Sequence, residues 1–476
     1  MSMQLPRLFI AAAHKSSGKT TVSLGLAAAL RARGRRVQSF KKGPDYIDPL
    51  WHRLASGRPC YNLDFNTQEH DEILALFIRK AQQADISLIE ANKGLFDGID
   101  LKGADSNAAL AALLEAPVVL VIDTVGMTRG IAPLLIGYET FARRMSEPVR
   151  IAGVILNRVG GPRHEDKLRA AVEHYTDMPV LGAVPRDPSM VVQERHLGLT
   201  TPGDMARLEE HLAAIGERIA GHVALSQIED IATEAAPLAL GAHAETVSDL
   251  EGGAASSPGS AERVRIAIAQ DEAFCFYYQD DLEAFAQEGA ELVPFSPVHD
   301  KRLPEEIDGL FLGGGFPETH MHALAANRSM RESIRCAIDA GLPAYAECGG
   351  LMYLAREIVW KEARAEMCGV LPGRVVMHER PQGRGLIRLR ATGDAPWSPI
   401  SPGETLRAHE FHHAAYEGAR DTAGARHAWA VLRGHGTDGR HDGLIVNNLI
   451  AGFAHLRHTR QSPWVSAFVR FIRSRI

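Results

Sequence analysis

Long apolar runs are absent: nothing in the 476 residues approaches the roughly 18 consecutive apolar positions that a membrane-spanning helix takes. The apolar stretch Leu8 to Ala13 is too short for a signal h-region and leads straight into a glycine–lysine motif instead of a cleavage site. Cysteine is scarce. The five cysteines (Cys60, Cys275, Cys336, Cys348 and Cys368) form no C-x-x-C pair, so neither a disulfide framework nor a zinc ribbon is suggested, and a reducing cytoplasm is the expected location. A strong charge of one sign is also missing. The net charge of -6 supplies no electrostatic reason to expect nucleic acid or an anionic membrane as partner, so any anionic ligand has to be captured locally. No repeat with a period of about 20 to 50 residues is found, which argues against a solenoid or propeller.

What is present is an ordinary globular composition, 45% hydrophobic and 23% charged, in a chain too long for one hydrophobic core, since single cores stop growing at roughly 250 to 300 residues. Apolar runs bounded by turn residues alternate with helix-period segments, the pattern of an α/β protein with a parallel sheet covered on both faces. Strands are expected at 7–13, 37–41, 86–90, 118–123 and 151–157, with a helix at 20–33. From about residue 236 to 262 the chain turns rich in Ala, Gly and Ser and reads as a linker. The rhythm restarts with strands at 263–269, 309–313 and 343–347, which predicts a first domain over 1–235 and a second over 263–476.

The strongest signal in the first part is A-H-K-S-S-G-K-T at 13–20, which follows an apolar strand and opens an Ala/Leu-rich helix. Backbone N–H groups of such a loop and the helix N-terminus cradle phosphates; Ser16, Ser17, Gly18, Lys19, Thr20 and Thr21 are therefore the candidates for ATP. Lys19 would reach the terminal phosphates and the Thr20 hydroxyl would face Mg2+. Asp45, Asp48, Glu90 and Asp97 follow expected strand ends, where ligands collect in open α/β sheets, and they can converge there. Each acid alone is equally well a helix cap.

In the second part, P-A-Y-A-E-C-G-G-L-M-Y-L at 343–354 runs an apolar strand into Cys348 and then a helix. Ala346 and Gly350 flank the cysteine two positions on either side, as the tight turn of a nucleophile elbow requires, and the helix N-terminus favours the thiolate. His455 in A-G-F-A-H-L-R-H is the best-placed base, and backbone N–H groups of Gly313, Gly314, Gly315 and Gly349 are candidate oxyanion donors. H-E-F-H-H at 409–413 invites a metal reading, but zinc is not expected there.

With these residues assembled, the chain closely resembles the cobyrinic acid a,c-diamide synthase family of glutamine amidotransferases over nearly its whole length. The resemblance rests on the phosphate loop, F-K-K-G-P-D-Y-I-D-P-L-W-H at 40–52, G-L-F-D-G at 94–98, G-G-F-P-E at 314–318, the Cys348 elbow, H-E-F-H at 409–412 and the His455 segment. It implies a dethiobiotin-synthetase-like ATPase domain followed by a class I glutaminase domain, with ammonia passing between their sites. It further implies that Lys19 and Thr20 bind ATP and Mg2+, that Asp45 and Glu90 hold the metal, that Asp48 and Asp97 organise carboxylate and nucleotide, and that Cys348 and His455 release ammonia from glutamine. The implied partners are a tetrapyrrole carrying acetate side chains and glutamine, with neither nucleic acid nor membrane; a homodimer is compatible with the sequence. Lys41, Lys42, Arg53 and Lys93 lie in or beside the matched segments and would meet the substrate's acids.

The chain departs from the family pattern in three places. His14-Lys15-Ser16 stands where the loop is usually small and glycine-bearing, and Asn92-Lys93 follows Glu90 where small or apolar residues are usual. These two features make the chain more similar to the sirohaem amidase branch. Arg457 stands two residues after His455, where many class I glutaminases carry an acid, so the sequence names no third member of a triad. Two other classes share parts of the pattern: a ParA- or MinD-like ATPase switch, which does not account for the cysteine elbow, and a regulatory protein with an inactive glutaminase fold. Release of glutamate from glutamine separates both from the enzyme.

Overall fold

A computed structural model describes residues 2–192, 202–239, 263–418 and 426–476. They fall into two compact units, one built from residues up to 239 and one from 263 onward, with the short segment Asn66–Gln68 grouping with the second. Of the expected linker, only residues 236–239 are described. There Leu238 pairs with Met3 in a short antiparallel ribbon, and 240–262 lie outside the described residues.

In the first unit the strands β1 (Arg7–Ala12), β2 (Val37–Lys42), β3 (Tyr61–Leu63), β4 (Ile86–Gly94), β5 (Val118–Asp123), β6 (Ile151–Val159) and β7 (Val180–Pro185) form a seven-stranded sheet in the order β3-β2-β4-β1-β5-β6-β7. Every neighbouring pair is parallel. Parallel strands covered on both faces carry continuous apolar runs, and all six residues of β1 are buried. Phe9, Phe40, Phe77, Ile89, Leu120 and Leu156 belong to the core. Helix α1 (Lys19–Ala32) follows β1, and its Ala/Leu-rich sequence buries Val22, Leu24, Leu26 and Leu30. Helix α2 (Ile47–Ser56) follows β2.

The second unit is organised on a nine-stranded sheet. Its strands are β8 (Val264–Ala269), β9 (Ala290–Phe295), β10 (Gly309–Leu312), β11 (Ala344–Glu347), β12 (Gly383–Ala391), β13 (Thr405–His412), β14 (His427–Arg433), β15 (His441–Val446) and β16 (Leu449–Gly452). They lie in the order β9-β8-β10-β11-β16-β15-β14-β12-β13. The first five run parallel, and β16-β15-β14-β12-β13 is an antiparallel meander-like extension. That extension is missing from the sequence reading. Its strands alternate, β13 reading exposed and buried at successive residues, because an antiparallel sheet can leave one face in water. Two apolar clusters form this unit's core, one around Phe274, Leu312, Ile334 and Phe453, the other around Phe311, Tyr345, Trp397, Trp464 and Phe468. Short helix α3 (Gly349–Leu354) follows β11, and α4 (Trp464–Arg473) ends the chain.

The expected strands at 7–13, 37–41, 86–90, 118–123 and 151–157 are all present. The strands at 86–90 and 151–157 run on further, as Ile86–Gly94 and Ile151–Val159. Tyr61–Leu63 and Val180–Pro185, the two edge strands, are additions.

Candidate active sites

Loop 13–18 bends from β1 into α1 through two left-handed residues, Ser16 (φ 67°) and Gly18 (φ 80°). Only glycine fits at the second: a Cβ there would lie 2.3 Å from Asn157 Nδ2, which donates to the Ser17 carbonyl at 2.8 Å. Asn157 from β6 thus braces the loop, and the sequence reading missed it. The Ser17 hydroxyl donates to His14 O at 2.8 Å, and Lys19 Nζ donates to Asn92 O at 3.2 Å. Burial, with Lys41 nearby, lowers the Lys19 pKa.

Beneath the loop lies a buried ionic cluster. Lys41 and Glu90 are paired residues of adjacent parallel strands, and Lys41 Nζ donates to Glu90 Oε1 at 2.8 Å and to Asp48 Oδ2. The same Glu90 Oε1 accepts from Thr20 Oγ1 at 2.6 Å, and Glu90 Oε2 meets His52 Nε2 at 2.7 Å. Burial opposes both charges, but Asp48, Glu90 and Asp45 raise Lys41 above its ordinary pKa, and Lys41 and His52 hold Glu90 far below the carboxylate range. Asp45 caps the approach to α2, its Oδ1 accepting from the backbone N–H groups of Ile47 and Asp48 at 3.0 Å each, while Oδ2 stays 4.0 Å from Lys41. Partial burial beside Asp48 raises the Asp45 carboxyl to about 6.

A pocket of about 440 Å³ opens over this cluster, within the range of small-molecule sites. Ser16, Gly18, Lys19, Thr20, Thr21, Lys41, Asp45 and Asp48 line it, together with Trp51, Asn92, Asn157 and Arg158 that the sequence reading left out. An Asn-Arg pair at the end of an expected strand was the available signal. Ser17 and Glu90 are buried close by. The remaining candidates do not line this pocket. Lys42 is buried with its ammonium on Asp105 O at 2.7 Å, whereas Lys93 and Arg53 are exposed. Asp97 is exposed too, its Oδ2 accepting from Gly94 N at 3.0 Å. Among the described residues no group of three or more His, Cys, Asp or Glu could hold a metal by itself. Mg2+ takes oxygen ligands and usually completes its shell with phosphates and water, so the Thr20 hydroxyl with one or two of these carboxylates fits that ion.

In the second unit Cys348 follows β11 on a sharp turn with φ 47° and ψ -98°, a strained conformation for a residue with a Cβ. The turn leaves no space at Gly350, where a Cβ would lie 2.2 Å from Leu312 O. β11 and β16 are parallel neighbours with Glu347 opposite Gly452, so Cys348 and His455 emerge at the same sheet edge. Asp442 holds the bend after β16 by accepting from Phe453 N at 3.0 Å and Ala454 N at 2.9 Å. His455 itself forms a backbone bridge to His409, its N–H on His409 O at 2.8 Å.

Its ring is hydrogen-bonded to the Cys348 side chain and stands 3.3 Å, through Nδ1, from Glu347 Oε2. Burial disfavours the charged ring, but the bonds to Cys348 and Glu347 outweigh it and raise His455 to about 10. The candidate oxyanion glycines lie alongside: a Cβ on Gly314 would touch His455 Cε1 at 2.6 Å, and one on Gly349 would touch Gly315 N at 3.0 Å. Gly313 N is already engaged, donating to Tyr277 OH at 3.0 Å. Arg457 turns away to Asp280, at 2.8 Å. Cysteine, an imidazole and backbone donors in this arrangement are equipped for attack on a carboxamide.

Comparison with known proteins adds to this geometry. Residues 8–198 match the CobQ/CobB/MinD/ParA nucleotide binding domain and residues 265–463 the CobB/CobQ-like glutamine amidotransferase domain. A cobyrinate a,c-diamide synthase of Magnetococcus marinus is 43% identical over 475 residues, covering 100% of this chain and 99% of its own. One from Methanosarcina acetivorans is 41% identical, covering 95% of this chain and 92% of its own. A third, from Listeria monocytogenes, is 39% identical and covers 87% and 88%. A nucleotide-binding domain joined to a glutamine amidotransferase domain defines a glutamine-hydrolysing carbon–nitrogen ligase. The chain belongs to the cobyrinate a,c-diamide synthase family.

Proposed function

We propose that the chain uses ATP to activate acetate side-chain carboxylates of a modified tetrapyrrole as acyl phosphates, and that ammonia released from glutamine converts them to amides. The first unit, 1–235, is then the amidoligase and the second, 263–476, the glutaminase. The observation that carries the reading is the hydrogen-bonded Cys348–His455 pair beside the Gly314, Gly315 and Gly349 backbone, in a chain that also holds a braced phosphate loop over a polar pocket.

In the glutaminase, Cys348 attacks the carboxamide carbon of glutamine, the glycine N–H groups receive the developing oxyanion, and His455 delivers the proton that lets ammonia leave. In the amidoligase, residues 16–21 hold ATP. Thr20 with Asp45 and Glu90 would hold Mg2+, which would supply positive charge to the phosphates. Asp48 and Asp97 organise carboxylate and nucleotide, and Lys41 fixes Asp48 and Glu90 in place. Lys42 and Lys93 are the cations proposed for the substrate's carboxylates; Lys93 is the exposed one of the two.

Among tetrapyrroles the reading favours the sirohaem or sirohydrochlorin type, on Lys93 beyond Glu90 and on the His14-Lys15-Ser16 loop. The names of the relatives favour cobyrinate instead. Supplying sirohydrochlorin, sirohaem and cobyrinic acid separately with ATP, Mg2+ and glutamine decides between them by mass spectrometry, each acid-to-amide conversion lowering the mass by about one unit. Amidation of cobyrinic acid alone overturns the sirohaem preference, and amidation of none removes the tetrapyrrole assignment.

A further inference from the structure

The position two residues after His455, where an orienting acid would be sought, holds Arg457, and its guanidinium is committed to Asp280 at 2.8 Å with Cζ 4.9 Å over the Tyr278 ring. A carboxylate nonetheless reaches the imidazole from another part of the chain. Glu347 is the last residue of β11, immediately before the nucleophile, and is buried to 4% exposure. Tyr345 lies two residues earlier on the same face of the strand. Its hydroxyl donates to Glu347 Oε1 at 2.7 Å, and Leu456 N donates to the same oxygen at 2.9 Å. Two fixed donors on one oxygen aim the other, Oε2, at His455 Nδ1, 3.3 Å away.

We propose that Glu347 is the positioning residue of the glutaminase site: its carboxylate orients the His455 ring and keeps a proton on Nδ1, so that Nε2 faces Cys348. The inference rests on reading Cys348 and His455 as nucleophile and base. The acid, the nucleophile and the turn that strains the nucleophile are then consecutive in one strand end, and a shift of β11 moves them together.

The titratable groups facing the His455 ring are Cys348, Glu347 and His409. His409 adds no competing positive charge: burial, together with the neighbouring His455 charge, pushes it down to about 3, so it is neutral at physiological pH. Cys348 and Glu347 are therefore the groups among them that favour a protonated ring, and Glu347 is the carboxylate.

The test is Glu347→Gln in the full-length chain. The amide keeps an oxygen for the Tyr345 and Leu456 donors, so packing is preserved while the charge is lost. Glutamine hydrolysis is expected to lose about 100-fold in kcat with little change in KM. The alkaline limb that reports the His455 proton should move to lower pH, Glu347→Asp should restore part of the rate, and amidation driven by ammonium chloride should stay at the wild-type level. Unchanged kcat and pH profile in Glu347→Gln overturn the proposal, as does a rate that falls through KM alone. Should Glu347→Gln fail to fold, Tyr345→Phe, which removes only the hydroxyl on Oε1, is expected to lower kcat and shift the same limb; a wild-type profile there overturns the proposal equally. Cys348→Ser separates the two levels: if it still hydrolyses glutamine, the underlying glutaminase reading has failed, whereas an inactive Cys348→Ser beside a fully active Glu347→Gln removes only the role of Glu347.

Discussion

Lys41 is 1% exposed, and a charge so far from water persists only because Asp48 and Glu90 accept hydrogen bonds from its ammonium. The cost of dehydrating an ammonium and two carboxylates is offset by their mutual attraction, and removing one member leaves the others uncompensated. Lys41→Met is accordingly expected to destabilise the first unit by about 3–5 kcal/mol, read as a lowered denaturation midpoint. Combining it with Glu90→Gln should recover part of that loss, since the second change removes the orphaned charge. An equal midpoint for Lys41→Met and wild type would show the cluster to be looser than its geometry. The same placement separates Lys41 from Lys93 although both were legible as basic residues of matched segments. Only the fold turns one into a buried partner of acids and leaves the other in solvent.

At the level of elements, each site is a strand-to-helix turn whose backbone has no space for a Cβ. At the elbow a Cβ on Gly350 meets Leu312 O at 2.2 Å, and a carbonyl within the sheet yields less readily than the end of a side chain. Gly350→Ala should therefore push α3 away from β10 and move Cys348 off its line to His455. The expected result is loss of glutamine hydrolysis by about 100-fold or more, checked by assaying released glutamate, with ammonia-driven amidation retained. At the phosphate loop the corresponding clash is with a side-chain amide, Asn157 Nδ2 at 2.3 Å, but φ 80° at Gly18 adds backbone strain. Spacing of small residues announced the elbow, and the A-H-K-S-S-G-K-T motif between strand and helix announced the phosphate loop; the atoms they approach belong to strands far away in sequence.

For the molecule as a whole, division of labour between two units predicts two distinct phenotypes. Cys348→Ser should abolish amidation driven by glutamine and spare amidation driven by high ammonia, because the phosphate-loop unit is untouched. Lys19→Ala should stop amidation with either nitrogen source, since the carboxylate is no longer activated. Rates measured with glutamine and with ammonium chloride on the two folded variants check this; loss of both activities in Cys348→Ser, or ammonia-driven turnover persisting in Lys19→Ala, contradicts it. No helix among the described residues is long and apolar enough to cross a membrane.

Local chemistry and periodicity were enough to identify the α/β class, the parallel strands that lead into both sites, the phosphate loop, the Cys348 elbow and His455. The two turns are written in consecutive residues: an apolar run, then glycine, then a helix former. The alternating strands of the second unit's antiparallel half carried a weaker signal, because half of their positions face water and resemble loop sequence. What depended on tertiary structure was every pairing across the sheets. Lys41 with Glu90, Asn157 beneath Gly18, and Glu347 with His455 each join residues whose separation in the chain bears no relation to their distance in space. Strand order and register decide such pairings, and both are set by how the whole sheet buries its apolar faces. The residue beside the nucleophile shows the difference most clearly. Glu347 stands in plain view within A-Y-A-E-C-G-G, yet only the parallel pairing of β11 with β16 turns its carboxylate toward the histidine.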